Sequence, residues 1–249
     1  MNILKRTFGF FWALWTAFWF MFVVTLFTPI YAIVLGLFGK KYSMKCVWIN
    51  VHYLSPFLLA VSLIRLRVFG KENIDPKRAY VYAANHLAQV DIITSGSAMP
   101  QPMRFLAKAE IKKIPVFGYM TKMLAIMVDR KDKVSREKSV QYMVDELKQG
   151  NSLFLYVEGT RNRTDQPLKE FKDGAFRVAI MAQAPIVVQT LIGTKEVNSP
   201  VGIQLYPGTV EAHFSKPIET TGMTIADVPA LKERVKAEMM SHLSKAANA

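Results

Sequence analysis

The stretch "YVYAANHLAQVDII", from Tyr80 to Ile93, decides the fold. Its first half is an apolar run typical of a buried β-strand, and the turn "LAQV" then leads into a helical pattern. The strand ends at Asn85-His86, and Asp91 stands five residues after the histidine. Active sites in parallel sheets lie where strands end and helices begin. The stretch therefore predicts a strand, a functional turn and a helix.

Similar apolar runs recur along the chain, separated by helical patterns. The predicted strands are "RLRVFG" (65–70), "AYVYAAN" (79–85), "RFLAKA" (104–109), "LAIMVDR" (124–130), "SLFLYVEG" (152–159) and "APIVVQTLIG" (184–193). Helices are predicted at 134–150, which Gly150 ends, and at 228–246. Strands that are apolar on both faces and alternate with helices indicate an α/β fold, with a mostly parallel sheet flanked by helices. The segment 201–218, with Pro207-Gly208 between two alternating runs, predicts a β-hairpin at a sheet edge.

The N-terminal region has no charged residue between Thr7 and Gly39. As a helix, this run would be roughly 50 Å long, against a hydrocarbon core of about 30 Å. Pro29 predicts a kink or break, and a second apolar stretch follows at 46–64. We expect a membrane-embedded helical pair (1–64) attached to an α/β domain (65–249). Basic residues flank the first run at both ends: Lys5, Arg6, Lys40 and Lys41. This symmetry fits a tilted span as well as a segment that returns to the same face of the membrane.

The 249 residues carry a formal net charge of +13, which attracts anionic lipid, nucleic acid or phosphorylated substrates. The charge is not combined with a recognisable nucleic-acid-reading motif, so we expect no nucleic-acid partner. The single cysteine, Cys46, has apolar neighbours and is interpreted as a buried, inert thiol. No Cys/His zinc spacing occurs, and therefore no metal site is expected.

His86 and Asp91 form a candidate catalytic pair. Across a strand-to-helix turn, the carboxylate can fold back and hold the proton of one ring nitrogen, which leaves the other nitrogen free as a base. One such spacing arises by chance in many chains, so the pair alone is weak. The remaining histidines lack the spacing and are interpreted as core or surface residues: His52, His213 and His242.

A second candidate site is "YVEGTRNRTDQPLKEFKDGAF" (156–176), where a predicted strand ends in Glu158-Gly159-Thr160-Arg161. Gly159 allows the backbone to approach a ligand closely. Arg161 offers a planar fork suited to phosphate, and Lys172 adds a point charge. The alternative is a solvated turn in which Glu158 and Arg161 pair with each other.

Taken in order, five blocks of sequence resemble the PlsC-type glycerolipid acyltransferases, the 1-acyl-sn-glycerol-3-phosphate acyltransferases and their relatives. The blocks are Asn85-His86-x4-Asp91, Asp129-Arg130, Glu158-Gly159-Thr160-Arg161, Phe171-Lys172-x-Gly174 and Ala184-Pro185-Ile186-Val187. The resemblance covers about residues 65–215. The hydrophobic N-terminal pair also looks like that of bacterial members.

The resemblance implies roles for these residues. His86 would be the general base on the acceptor hydroxyl, with Asp91 as its orienting partner. Arg130 would be associated with the acceptor, and Pro185 with the acyl-donor side. The remaining matched substrate-binding positions, of which the first four would hold the acceptor's phosphate, are Glu158, Gly159, Thr160, Arg161 and Lys172.

The resemblance also implies substrates and a location. An acyl thioester, either acyl-CoA or acyl carrier protein, would be the donor substrate, lysophosphatidic acid the acceptor, and no cofactor would be needed. The enzyme would lie in the cell membrane among membrane lipids, with its catalytic domain on the cytoplasmic face. Absence of a Gly-x-Ser-x-Gly elbow argues against an esterase route. Two alternatives remain: another acceptor (a lysophospholipid or an ornithine-type lyso-lipid), and a membrane-tethered basic module without catalysis.

Overall fold

A computed structural model of the chain describes residues 3–39, 42–129, 132–199 and 202–247. Its strands are β1 (Ile64–Phe69), β2 (Val81–Ala84), β3 (Met103–Lys108), β4 (Ala125–Val128), β5 (Ser152–Tyr156), β6 (Ile186–Ile192) and β7 (Gly208–Phe214). Its helices are α1 (Ile3–Phe38), α2 (Ser43–Ile49), α3 (Ser55–Val61), α4 (Asp91–Ala98), α5 (Phe117–Leu124), α6 (Lys133–Lys148), α7 (Gly174–Ala182), α8 (Thr194–Val197) and α9 (Val228–Ala247). A π-helical turn, Asn50–Leu54, joins α2 to α3.

The seven strands form one sheet in the order β1-β7-β6-β2-β5-β3-β4. Every pairing is parallel except that of β6 with β7. The six strands and two helices predicted from the sequence are confirmed, and so is the mostly parallel α/β fold. Because β2 lies at the centre of the sheet, its carboxyl end stands beside the ends of β5 and β6.

The prediction of a β-hairpin at 201–218 is wrong. Leu205 forms only an isolated bridge with Asn198, whereas β7 lies inside the sheet between β1 and β6. Parallel pairing with β1 and antiparallel pairing with β6 use both edges of β7, which leaves no edge for a local partner. The segment before β7 instead bonds to α1, where the Leu205 amide donates to the Gly9 carbonyl at 3.0 Å.

Helices cover both faces of the sheet. On one face α6, α7 and α9 pack over alternate strand residues such as Val81 and Ala83. On the other face, the residues between them on β2, Tyr82 and Ala84, pack against α4, α5 and the N-terminal helices. This two-sided burial explains why the central strands are apolar on both faces.

The two N-terminal helical segments, α1 and α2–α3, form an antiparallel pair, called the helical pair below. Near the start of α1, the Trp12 indole donates to the Ser62 carbonyl at 3.0 Å, just beyond the end of α3. Farther along, Asn50 donates to the Tyr31 hydroxyl at 2.8 Å. α1 continues through Pro29 as one helix, so the break considered at this proline does not occur. β1 begins at Ile64, and the division of the chain at residue 64 stays a prediction.

Both ends of the helical pair are bonded to the α/β domain. Gly9 accepts the Leu205 amide at one end. At the other end, Arg104 of β3 donates to the Ser43 hydroxyl at 2.7 Å and pairs with Glu146 of α6 at 3.2 Å. The pair therefore lies along the domain. Large apolar side chains on α1 remain exposed, including Phe11, Leu14, Phe18, Phe22, Leu26, Ile33 and Leu37.

Candidate active site

His86 stands two residues beyond the end of β2, and its imidazole is held by the first residue of α4. The distance from His86 Nδ1 to Asp91 Oδ2 is 2.8 Å. The same oxygen accepts the backbone amides of Leu87 and Ala88, and the Asp91 side chain is fully buried. A buried carboxylate on Nδ1 fixes the tautomer that leaves the Nε2 lone pair free. The His86 side chain is 16% exposed, so a substrate can reach it.

The turn between His86 and Asp91 is fastened by a distant residue that sequence reasoning missed. The buried Asn198 side chain accepts the backbone amides of Gln89 at 2.8 Å and Val90 at 3.1 Å. Asn198 follows α8, more than a hundred residues along the chain from this turn. No local pattern marks such a contact. It sets the path of the chain into α4, and hence the position of Asp91.

Glu158 ties the end of β5 to the end of β2. One carboxylate oxygen accepts the His86 amide at 3.0 Å, and the other accepts the Lys169 amide at 3.0 Å. Burial raises the pKa of this carboxyl group, whereas the two amide donors lower it by a smaller amount. Both oxygens are occupied and the side chain is 1% exposed. The structure thus gives Glu158 a positioning role and does not support direct contact with an acceptor phosphate.

Tyr156 stacks on the imidazole of His86. The ring centroids of Tyr156 and His86 are 4.0 Å apart, and the planes differ by 13°. Burial raises the pKa of the Tyr156 hydroxyl well above its usual value, so the phenol stays neutral. The stack closes one face of the imidazole and limits its rotation. Alternation along β5 could have placed Tyr156 on the same side of the sheet as Glu158, but the sequence alone did not single it out.

The loop after β5 brings the predicted phosphate ligands beside His86. Gly159 has φ +73°, and a Cβ there would lie 3.2 Å from the Lys172 side chain, so glycine suits this close approach. Thr160 accepts the Lys169 ammonium at 2.8 Å. In the described ranges, the half-buried Arg161 forms no ion pair with Glu158, which removes the alternative of a paired, solvated turn.

Asn162 holds this loop against the histidine. Its backbone amide donates to the His86 carbonyl at 2.6 Å, and its side-chain amide donates to the Gln166 carbonyl at 2.8 Å. Its side-chain oxygen accepts the Thr164 amide at 3.0 Å. Because Arg161 precedes Asn162, its backbone lies next to His86. Lys172 joins the same region, since its amide donates to the Val157 carbonyl at 2.8 Å.

Arg130 and Pro185 are the other two predicted residues. Arg130 lies outside the described residues. Pro185 precedes β6 at the amino end of the sheet, where its carbonyl accepts the Val81 amide at 3.0 Å. β2 separates Val81 from His86 by five residues, roughly 16 Å at about 3.3 Å per residue. The structure therefore does not support contact between Pro185 and a group that reacts at His86.

Comparisons with known proteins agree with this fold. A family model described as Acyltransferase matches residues 65–191. The 1-acyl-sn-glycerol-3-phosphate acyltransferase of Saccharomyces cerevisiae is 26% identical over 222 residues, which cover 84% of this chain and 73% of that protein. The chloroplastic 1-acyl-sn-glycerol-3-phosphate acyltransferase BAT2 of Brassica napus is 32% identical over 174 residues, 67% of this chain and 50% of that protein.

A solved structure has the same fold along almost the whole chain. The crystal structure of the 1-acyl-sn-glycerophosphate (LPA) acyltransferase PlsC from Thermotoga maritima superimposes with a TM-score of 0.81. The alignment covers 98% of each chain at 19% sequence identity. The protein is thus an enzyme of the acyltransferase class. The family model spans just over half of the sequence, and the chain belongs to the Acyltransferase family.

Proposed function

We propose that the enzyme transfers an acyl group from an acyl thioester to the free hydroxyl of 1-acyl-sn-glycerol-3-phosphate, giving phosphatidic acid. The observation that carries the proposal is the pair of His86 and buried Asp91, 2.8 Å apart at the carboxyl end of a central strand. The family match and the activity named for the relatives support 1-acyl-sn-glycerol-3-phosphate as the acceptor. Either acyl-CoA or acyl carrier protein would be the donor.

In the proposed mechanism, His86 Nε2 accepts the proton of the acceptor hydroxyl as its oxygen attacks the thioester carbonyl. Asp91 stabilises the imidazolium that forms, through the proton on Nδ1. The tetrahedral intermediate then collapses, the carbon–sulfur bond breaks, and the imidazolium returns its proton to the leaving thiolate. An acyl thioester is already activated, so the scheme requires no covalent enzyme intermediate.

The acceptor phosphate would bind beside the base. Arg161 is half-buried, the residue after it bonds the His86 backbone, and its guanidinium offers a bidentate fork to phosphate oxygens. Thr160 and Lys172 lie in the same region, and Arg130 is a further candidate by its position in the sequence. If Arg161 binds the phosphate, the free hydroxyl of the same glycerol unit would lie at the imidazole of His86.

The helical pair supports membrane association of the enzyme. Both helical runs, Ile3–Phe38 and Ser43–Val61, are long and apolar enough to enter a bilayer. In the most apolar stretch of each run, only 22% and 28% of the residues are buried inside the protein. Leaving the bilayer costs a lipid about 0.8 kcal/mol per methylene. An enzyme in contact with the leaflet avoids this cost. We place the catalytic domain on the cytoplasmic face of the cell membrane, where activated acyl donors are made.

Acyl transfer by purified protein tests the proposal. We expect His86→Ala to lower the rate by about 10²–10⁴-fold because the proton acceptor is lost. Asp91→Asn should also cause a severe loss, because the amide does not stabilise the imidazolium. His52→Ala, an exposed histidine on the helical pair, is the matched control.

A panel of acceptors with both donor types separates the alternatives. Lysophosphatidic acid should be used faster than lysophosphatidylcholine or an ornithine lyso-lipid. A preference for either of the latter would contradict the acceptor. Near wild-type transfer by folded His86→Ala would contradict the mechanism.

A further inference from the structure

A lysine-rich loop, 112–116, exposes apolar side chains at the edge of the sheet that carries His86. It begins with the last two residues of the short 3₁₀ turn after β3 (Ala109–Lys113) and leads into α5. Ile114 and Val116 are 47% and 37% exposed, and Tyr119 on α5 is 53% exposed. Three lysines flank these side chains and line a cavity of about 320 Å³ with them: Lys112, Lys113 and Lys122. We call these six residues the lysine loop patch.

The backbone holds the apolar side chains outward. Val116 has φ 60° and ψ −62°, and the Phe117 amide donates to the Pro115 carbonyl at 2.6 Å. These angles describe a γ-turn of the rare, strained hand, which is unfavourable for a β-branched residue. Gly118 follows where a Cβ would lie 2.4 Å from the Ile111 carbonyl oxygen. The tight turn keeps Val116 out of the protein core although it is apolar.

The patch adjoins the helical pair through α5, which carries Tyr119 and Lys122 and packs against α1. The ring of Phe117, at the start of α5, lies 5.5 Å from the half-buried ring of Phe20 on α1. The carboxyl ends of β3, β2 and β5 share one edge of the sheet. Because the loop follows β3, the patch lies next to the helical pair and at the same edge of the sheet as His86.

We propose that the lysine loop patch is a second membrane contact, in which Ile114 and Val116 enter the headgroup region and the lysines bind anionic phospholipid headgroups. The inference rests on the proposed membrane-associated function. Exposed apolar side chains flanked by cations match the interface of an anionic leaflet. A contact at this edge holds the active site at headgroup level independently of the helical pair.

Fluorescence of an attached, environment-sensitive probe tests insertion. In a Cys46→Ser background, single cysteines replace Ile114, Leu14 on α1, or Ile225 on the opposite face of the sheet, which are 47%, 47% and 48% exposed. Vesicles of phosphatidylcholine and phosphatidylglycerol should increase and blue-shift emission at Ile114→Cys and Leu14→Cys but not at Ile225→Cys. A response at Leu14→Cys without one at Ile114→Cys overturns the inference alone. No response at either position overturns the proposed membrane association as well.

Charge variants test headgroup binding. Each lysine close to an anionic surface contributes up to about fivefold in affinity. Replacing Lys112, Lys113 and Lys122 by Gln should therefore weaken binding to phosphatidylglycerol vesicles by about tenfold or more. The matched control replaces Lys77, Lys236 and Lys245, three exposed lysines outside the patch, by Gln. Equal affinity of the two triple variants overturns the inference.

An acidic carrier protein would give a different result. In that case, the patch variant would lose kcat/KM for acyl carrier protein in detergent and keep its affinity for vesicles. This outcome also contradicts a lipid contact.

Discussion

His86 is held by residues from separate parts of the chain. Asp91 fixes the tautomer of its ring, Tyr156 covers one ring face, and Glu158 and Asn162 bond its backbone on opposite sides. These contacts involve α4, the end of β5 and the loop that follows β5. The imidazole is therefore oriented before substrate binds, which lowers the entropy cost of reaching the transition state.

Tyr156 provides a test of that orientation. Stacked rings contribute about 0.5–1.5 kcal/mol beyond their buried area, or about two- to tenfold in rate if the stack favours the reactive orientation. Tyr156→Leu should lower kcat by this factor with little change in either KM. Tyr156→Phe keeps the ring and should remain near wild type.

Phe154→Leu is the control for this variant. Phe154 lies two residues earlier on the same face of β5, is buried, and packs edge-on against Tyr156 at 5.0 Å. This change should lower the thermal unfolding midpoint and leave kcat unaltered. If both leucine variants lose stability and kcat in parallel, Tyr156 is only a packing residue.

Arg161 is the residue that tests phosphate binding. Arg161→Lys retains the charge but loses the planar fork, so the KM for the acceptor should rise more than the KM for the donor. Arg163→Lys makes the same change at an exposed residue two positions later and should have little effect. Steady-state kinetics with each substrate varied in turn measures both constants. Equal changes in the two constants would argue against a phosphate clamp.

Contacts between residues of one turn could be predicted from the sequence, whereas contacts between distant parts of the chain were missed. His86 and Asp91 are five residues apart, so their approach follows from one turn. Asn198, in contrast, reaches that turn from beyond β6, and no pattern near residue 198 indicates it. The family resemblance implied that Glu158 helps to hold the acceptor phosphate. Only the structure reveals that two backbone amides occupy both oxygens.

Strands and helices could be predicted where the pattern of apolar residues within the segment determines its conformation. The central strands carry apolar residues on both faces and were found with boundaries shifted by a few residues. β7 was misplaced because its partners, β1 and β6, are distant in sequence, whereas the Pro207-Gly208 turn suggested a local one. Pro29 was expected to kink or break the first run, and the break does not occur, because a helix flanked by apolar residues and packed neighbours tolerates a proline inside it.

The helical pair has a specific expected topology. Both of its ends bond to the α/β domain, through Gly9 with Leu205 and through Ser43 with Arg104. α1 is about 54 Å long at about 1.5 Å per residue, more than the thickness of the hydrocarbon core. If the pair spanned the bilayer, the part of the domain that is bonded to its far end would have to enter the bilayer as well. We therefore predict that both ends of α1 stay on the cytoplasmic face.

Single cysteines measure this topology. Lys5→Cys and Phe38→Cys, each in a Cys46→Ser background, mark the two ends of α1. An impermeant thiol reagent should label neither position in intact cells and both in inverted membrane vesicles. Labelling of Phe38→Cys from outside intact cells would establish a spanning helix and contradict the model. An exposed domain position, such as Lys236→Cys, controls for leakage.

At the scale of the whole molecule, the active site opens on the side of the sheet that the helical pair covers. Tyr82 and Ala84 face the core that contains Tyr31 of α1, and His86 continues the same alternation along the strand. The opposite face of the sheet lies under α6, α7 and α9. One side of the enzyme thus combines the apolar surface with His86, the proposed base, and this arrangement would suit a substrate that has both a chain and a headgroup.

The placement of β1 has a consequence for biosynthesis. Within the described residues β1 pairs only with β7, so residue 64 meets residue 208. At about 5–20 residues per second, a ribosome needs on the order of ten seconds to make the chain between them. The helical pair and β1 leave the ribosome well before β7, the partner of β1, has been made. The apolar helices are therefore available to a membrane before the sheet can close, and β1 waits at that surface while the residues between it and β7 are translated.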